Sequence, residues 1–241
     1  MARRVFVIGM GHGGFGQLTL DAVDAMNEVD VFLVGDHSDD APDLVWLRSE
    51  LIRRHVARAH RVITVLDPGR DHPPPDDLDD ARLATYGQIL GGLSDDLTVG
   101  FLAWGDPVTY DSILRVVDAL RSAHPLDVKV IPGVSAPQVL AAAHQIALDG
   151  RAVHITTGPR LLSDYDPGLG DVVVLNDPDL TCRGLAEEFP DLDIFWGAFL
   201  GTEDQVLANG PLRQVLPDLV DLRDKLQAHH GWLNDTYLLR P

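Results

Sequence analysis

Short apolar runs of strand length alternate with longer amphipathic runs through most of this chain, and that alternation limits the folds open to it. Residues 3–8, 30–34, 61–66 and 97–103 are strand-like, rich in Val, Ile, Leu and Phe. Residues 18–27, 43–58, 78–93 and 108–121 carry helical periodicity. Such a β-α-β-α order predicts a largely parallel sheet covered by helices on both faces. DPGRDHPPPDD at residues 67–77 interrupts the pattern and predicts a proline-stiffened surface loop. A second series begins after SAHPLD at residues 122–127, with a strand over 128–131, a helix over 135–146 and strands over 152–156 and 171–175. A helix over 181–189, a strand over 193–196, hairpin pieces near 203–213, a helix over 216–229 and a strand over 232–239 complete it. The expectation is an α/β protein of two α/β domains, residues 1–123 and 124–241.

Bulk properties narrow the function. A chain of 241 residues can bury a sizeable core. Its formal charge of −18 argues against a nucleic-acid backbone or an anionic membrane surface as partner. No apolar run approaches the roughly 18–20 residues that span a bilayer. The single cysteine, Cys182, excludes an internal disulfide and fits a reducing, cytoplasmic setting.

The stretch VFVIGMGHGGFGQLTL, residues 5–20, places Gly9, Gly11 and Gly14 at G-x-G-x-x-G spacing, with Asp36 closing the next apolar run. One reading is a nicotinamide or flavin loop. A dinucleotide loop, however, opens its helix within the glycine motif. Here that helix would carry Gly14 and Gly16 in its first turn, each up to about 1 kcal/mol worse than Ala. A start near Leu18 is better, so the glycines predict an extended loop. Two further strand ends, WGDPVTYDS at 104–112 and PGVSAPQ at 132–138, offer Gly105 and Gly133 for close backbone approach. They add Asp106 and Ser135 as compact polar groups. Taken singly, each is equally a tight turn leading to a helix cap.

Together the three stretches resemble the tetrapyrrole methylases, S-adenosylmethionine-dependent enzymes of corrin and sirohaem synthesis. The similarity runs nearly end to end, through VDVFLVGDH, FLAWGDPVTYDSILRV, VIPGVSAPQVLAAAHQIAL, VHITTGPRL, FWGAFLGTEDQ and GWLNDTYLLR. It implies two α/β domains with the cofactor in the cleft between them, a tetrapyrrole substrate above it, a homodimer and no metal. It implies cofactor contacts at Gly11, Trp104, Gly105, Asp106 and Thr109 in the first half of the chain. In the second half it implies Ser135, Ala136, Asn176, Leu200 and Thr236.

Within the family the resemblance is strongest to the branch that methylates carbon 1 of precorrin-5 and releases an acetyl group as acetate. For the acetate step Asp36, His12 and Tyr110 are the candidate acid–base groups, with His37 beside them. Arg70 and Arg160 are the candidate clamps for substrate carboxylates. The chain departs from the family in its first loop, where Gly14-Phe15 stands in place of Asp-Pro, and at Asp36-His37 in place of Asp-Lys. Two other readings stay open: a methylase of this fold with a different substrate, and a non-catalytic relative that keeps the cofactor pocket.

Overall fold

Alternation along strand β1 (Arg3–Gly9) explains the layering of the first half of the molecule. Phe6 and Ile8 point to one side of the sheet and Val5 and Val7 to the other, all of them buried. The structure, a computed structural model, describes residues 2–36, 42–66 and 75–241; the side chains of residues 36, 42–44, 66, 75–79 and 110 lie outside the description. The Phe6 side is covered by α1 (Leu20–Met26) and α2 (Pro42–His55), through Ala22, Met26, Leu47 and Leu51. The Val5 side is covered by α3 (Pro75–Gly92) and, further along the chain, α5 (Ile113–Leu120), through Tyr86, Leu90, Val116 and Leu120.

With β2 (Val31–Asp36), β3 (Arg61–Leu66), β4 (Val99–Ala103) and β5 (Leu126–Ile131), β1 forms a five-stranded sheet in the order β3-β2-β4-β1-β5. Every pairing in it is parallel, as the alternation predicts. The chain leaving β1 passes to the α1 face, whereas the chain leaving the adjacent β4 passes to the α5 face. Neighbouring strands whose connections diverge to opposite faces leave a crevice at their carboxyl ends, where open α/β sheets receive ligands.

The first compact unit is Met1–Val134 and the second Ser135–Pro241. This division falls later than the 123/124 expected from the sequence, because β5 belongs to the first sheet: it runs beside β1 in register from Arg3↔Leu126 to Ile8↔Ile131. SAHPLD is a turn inside the first unit, with Arg3 N–H donating to the Pro125 carbonyl at 2.8 Å. The helix expected over 108–121 is two, a short α4 (Pro107–Tyr110) and α5, separated where Asp111 adopts an extended backbone.

The second unit holds a mixed sheet, in keeping with the hairpin pieces expected near 203–213. It contains α6 (Ala136–Ala143), β6 (Val153–Thr157), α7 (Gly158–Asp164), β7 (Asp171–Leu175), β8 (Asp193–Ala198), β9 (Val206–Pro211), α8 (Leu212–His230) and β10 (Asp235–Arg240). Its strand order is β6-β7-β10-β8-β9, and only β6–β7 is parallel. A short loop folds β8 and β9 into an antiparallel pair, and α8 carries the chain back so that β10 enters the middle of the sheet. The helix expected over 181–189 is a 3-10 turn, Thr181–Leu185. Cys182 is wholly buried there, and burial first of all pushes its thiol up to about 12, so it is a core residue rather than a nucleophile.

Candidate functional site

In the first unit, the loops after β1, β4 and β5 are held together by main chain. Gly11 and Gly105 exchange hydrogen bonds, Gly11 N to Gly105 O at 3.1 Å and Gly105 N to Gly11 O at 2.9 Å, forming an isolated antiparallel bridge. Gly105 has φ +66°, a left-handed conformation that suits glycine. Gly133 packs so closely that a Cβ on it would lie 2.2 Å from the Gly105 carbonyl oxygen and 2.9 Å from the Gly9 Cα. The first loop continues through a 3-10 turn at Phe15–Gln17 before α1 begins at Leu20, capped by the Thr19 hydroxyl, which accepts from Ala22 N–H at 3.1 Å. The helix therefore starts outside the glycine motif, which is not the geometry of a dinucleotide loop. Phe15, the departure from the family pattern, anchors the loop between the Trp46 ring at 5.8 Å and the Arg54 guanidinium at 3.9 Å.

Asp106 joins two of these loops. One carboxylate oxygen accepts from Val108 N–H at 2.9 Å, Thr109 N–H at 3.0 Å and the Thr109 hydroxyl at 3.0 Å, capping α4. The other accepts from Gly133 N–H at 3.0 Å. Both oxygens are thus engaged by protein, and the acid acts as a strut between the WGDP loop and the PG turn. Asp111, which the sequence did not single out, does the same one turn on: it accepts from Trp104 N–H at 3.0 Å and Ile113 N–H at 2.8 Å.

His12 lies against Trp104 with ring centroids 5.5 Å apart and is 6% exposed. Burial lowers its pKa to about 4, so the imidazole is neutral at physiological pH. Its Nε2 is buried with no hydrogen-bond partner among the described residues. The structure thus brings His12, Gly11, Trp104, Gly105, Asp106 and Thr109 together. Arg70 and His37 lie outside the described residues, as do the side chains of Asp36 and Tyr110.

The second unit builds its sheet end differently. Register places Asp235 opposite Ala198 and Thr236 opposite Gly197, with Tyr237 opposite Val174. The start of β10 therefore lies beside the carboxyl ends of β7 and β8. Asn176 and Phe199, the residues that follow those two strands, both have positive φ, +51° and +48°. For residues with a Cβ this is disfavoured, and such conformations concentrate at functional sites. Thr236 is buried, and its hydroxyl donates to the Val174 carbonyl at 2.8 Å. Leu200 is fully buried in the cluster that packs α6 against the sheet through Leu140 and Leu238, so its side chain is core. Ser135 opens α6, where the Gln138 side-chain oxygen accepts from its N–H at 2.9 Å and its hydroxyl at 3.0 Å; Ala136 is buried beside it. Arg160 is on the exposed face of α7, paired with Asp164 at 3.0 Å.

The charge of the first unit's loops is compatible with a cationic ligand. Residues 9–17, 104–111 and 132–134 contain no lysine or arginine, and Asp106 and Asp111 make these loops acidic. The one basic side chain in these three stretches, His12, is held neutral. A positively charged ligand would meet no like charge from them. Among the described residues no group of three His, Cys, Asp or Glu side chains is arranged to hold a metal ion, and no helix is long and apolar enough to cross a membrane.

Comparison with known proteins agrees with this architecture. The family model for Tetrapyrrole (Corrin/Porphyrin) Methylases matches residues 4–216. A "Precorrin-6A synthase [deacetylating]" of Sinorhizobium sp is 32% identical over 252 residues, covering 99% of this chain and 95% of that protein. The crystal structure of a cobalamin synthesis related protein (CobF) from Corynebacterium diphtheriae superposes with a TM-score of 0.84 at 34% identity, covering 100% of this chain and 99% of the other. The uroporphyrin-III-C-methyltransferase of Thermus thermophilus, at 20% identity and a TM-score of 0.62, shares the fold, covering 100% of this chain and 93% of its own. The chain belongs to the tetrapyrrole (corrin/porphyrin) methylases.

Proposed function

We propose that this protein methylates carbon 1 of precorrin-5 with S-adenosylmethionine and releases the acetyl group as acetate, forming precorrin-6A for cobalamin synthesis. The observation that carries this reading is identity of 32% to a deacetylating precorrin-6A synthase over 99% of the chain. The glycine-lined loops of the first unit, which carry no lysine or arginine of their own, support it. When bound, S-adenosylmethionine supplies an electrophilic methyl on a positively charged sulfur.

Methyl transfer needs nucleophile, methyl and sulfur nearly in line, so positioning is the main catalytic device and no protein nucleophile is required. The Gly11–Gly105 bridge and the Asp106 strut fix the backbone of the first unit's loops for that purpose. Gly11, Trp104, Gly105 and Thr109 are our cofactor contacts there, with Asp106 serving through its hold on Gly133. In the second unit they are Ser135, Ala136, Asn176, Thr236 and the backbone at Leu200. Release of acetate needs a base for water and a donor for the acetyl oxygen. His12, neutral and with an unpartnered nitrogen, is our first candidate for one of these roles, with Asp36 and Tyr110 as the others. Arg70 remains a proposed carboxylate clamp. Arg160 is the lesser one, because Asp164 already neutralises it at an exposed position. The reading includes a cytoplasmic homodimer, which sedimentation of the purified protein tests.

The test is incubation with precorrin-5 and methyl-labelled S-adenosylmethionine, followed by mass spectrometry. The expected product has gained one labelled methyl and lost one acetyl group, with acetate and S-adenosylhomocysteine released. Phe15 in place of the family's proline, and Gly14 in place of its aspartate, favour one second reading, a methylase for another precorrin. Labelled product from a different precorrin, with none from precorrin-5, would establish that instead.

A further inference from the structure

Behind the Asn176 end of the second sheet lies a buried polar array that the proposed chemistry leaves unused. Asp177 and Asp235 are almost fully buried, yet one cation, Arg223, serves both segments. Arg223 reaches from α8 and donates to the Asp235 carboxylate at 2.8 Å and to the main-chain carbonyls of Asp177 and Pro178 at 3.0 and 3.1 Å. Trp196 Nε1 of β8 donates to Asp235 at 2.7 Å. The Asp177 carboxylate accepts from Thr181 N–H at 2.6 Å, from the Thr181 hydroxyl at 2.7 Å and from the Tyr237 hydroxyl of β10. Gly158, opening α7, packs against the same carboxylate: a Cβ there would lie 2.3 Å from an Asp177 oxygen.

These bonds converge on the residue after Asn176. Leu175, before it, is held in β7 opposite Thr157, and Asp177, after it, is held at both its carboxylate and its carbonyl. Asn176 must join two fixed neighbours, and it does so with φ +51°, where the Cβ crowds its own backbone. A buried ionic array is a poor source of net stability, since desolvation offsets its attraction, and an apolar core would serve stability as well. What such an array does supply is one geometry. Burial raises the Tyr237 pKa above its usual value, so the phenol stays protonated and donates.

We propose that Asp177, Arg223, Asp235 and Tyr237 are positioning residues that hold Asn176 in its left-handed conformation, and with it the cofactor-binding end of this sheet. The inference rests on the reading of Asn176 as a cofactor contact. It accounts for the acid and phenol of DTYLLR, a stretch that otherwise marks only the family.

The test is calorimetric titration of S-adenosylhomocysteine into the intact protein, its Tyr237→Phe variant, its Asn176→Gly variant and the double variant. Glycine adopts a left-handed conformation without a Cβ clash, so it needs no array to hold it. Tyr237→Phe is expected to weaken binding about tenfold when Asn176 is present, and less than about threefold in the Asn176→Gly background. Amide exchange at Thr181, whose N–H donates to the Asp177 carboxylate, is expected to accelerate in Tyr237→Phe while the second sheet stays protected. If circular dichroism shows that Tyr237→Phe does not fold, Thr181→Ala takes its place, since it removes one bond to the same carboxylate. Equal losses in both backgrounds, or unchanged affinity in a folded variant, would overturn the inference alone. Failure of the unaltered protein to bind would overturn the functional reading, and this inference with it.

Discussion

The two units fix their strand ends by opposite means. In the first, loops approach because side chains are missing: Gly9, Gly105 and Gly133 touch backbone to backbone, and two carboxylates, Asp106 and Asp111, help to tie the loops down. In the second, the strand ends are held by side chains: Arg223, Asp235, Asp177, Tyr237 and Trp196 fasten them from behind, and two residues with Cβ atoms take a left-handed backbone. A glycine-built loop is rigid because nothing else fits. A side-chain-built one is rigid only while its partners are complete. The two halves should therefore fail differently.

The largest effect is expected in the second unit. Arg223→Met leaves the buried Asp235 without its cation and should cost about 4 kcal/mol in denaturant unfolding, whereas a first-unit surface change such as Arg121→Met should be near neutral. A small loss at Arg223 would break the comparison.

Acid should strike the first unit through His12. Its folded pKa lies near 4, below the ordinary 6.5, so between those values the unfolded chain takes up a proton that the folded state does not. The stability associated with the neutral imidazole is complete above pH 6.5 and is lost as pH falls toward 4, by about 3 kcal/mol. Unfolding measured against pH should show this slope, and His12→Gln should flatten it. Asp235 in the second unit works in the other sense, because burial raises its pKa, so protonation on acidification favours the folded state.

Gly133→Ala should cost about 2–3 kcal/mol, since its Cβ meets the Gly105 carbonyl oxygen at 2.2 Å and the backbone has no room to yield. Gly16→Ala, with nothing near its Cβ, is the control and should lie within about 0.5 kcal/mol of the unaltered protein. The smallest effect sharpens the role of the strut. Asp106→Asn keeps an oxygen for Val108 and Thr109 but turns an amide N–H₂ toward Gly133 N–H. It should weaken S-adenosylhomocysteine binding by about 1–2 kcal/mol with α4 intact. Unchanged affinity would mean that the PG turn does not depend on Asp106.

The first site was largely legible in the sequence. Glycines at the ends of apolar runs, followed by Asp-Pro or Ser-x-Pro, are local signals, and the fold brings Gly11, Trp104, Gly105, Asp106 and Thr109 to one end of the first sheet; that they touch the cofactor is our proposal. Asp106 also has a structural part that the sequence did not give it, capping α4 and bonding Gly133. The second site was not legible in the same way. Asp177 and Arg223 are 46 residues apart and look like ordinary surface charges. Only the path of α8 over the sheet brings them into contact.

From its sequence alone the chain determined the alternating elements, the largely parallel character of the first sheet and the extended glycine loop, because each follows from local periodicity and backbone freedom. The tertiary structure decided the rest: that β5 closes the first sheet, that β10 inserts between β7 and β8, and that one arginine stands between two buried acids. Strand partners in an antiparallel sheet, and contacts made across dozens of residues, are selected by burial of the whole unit, which no short stretch of sequence encodes.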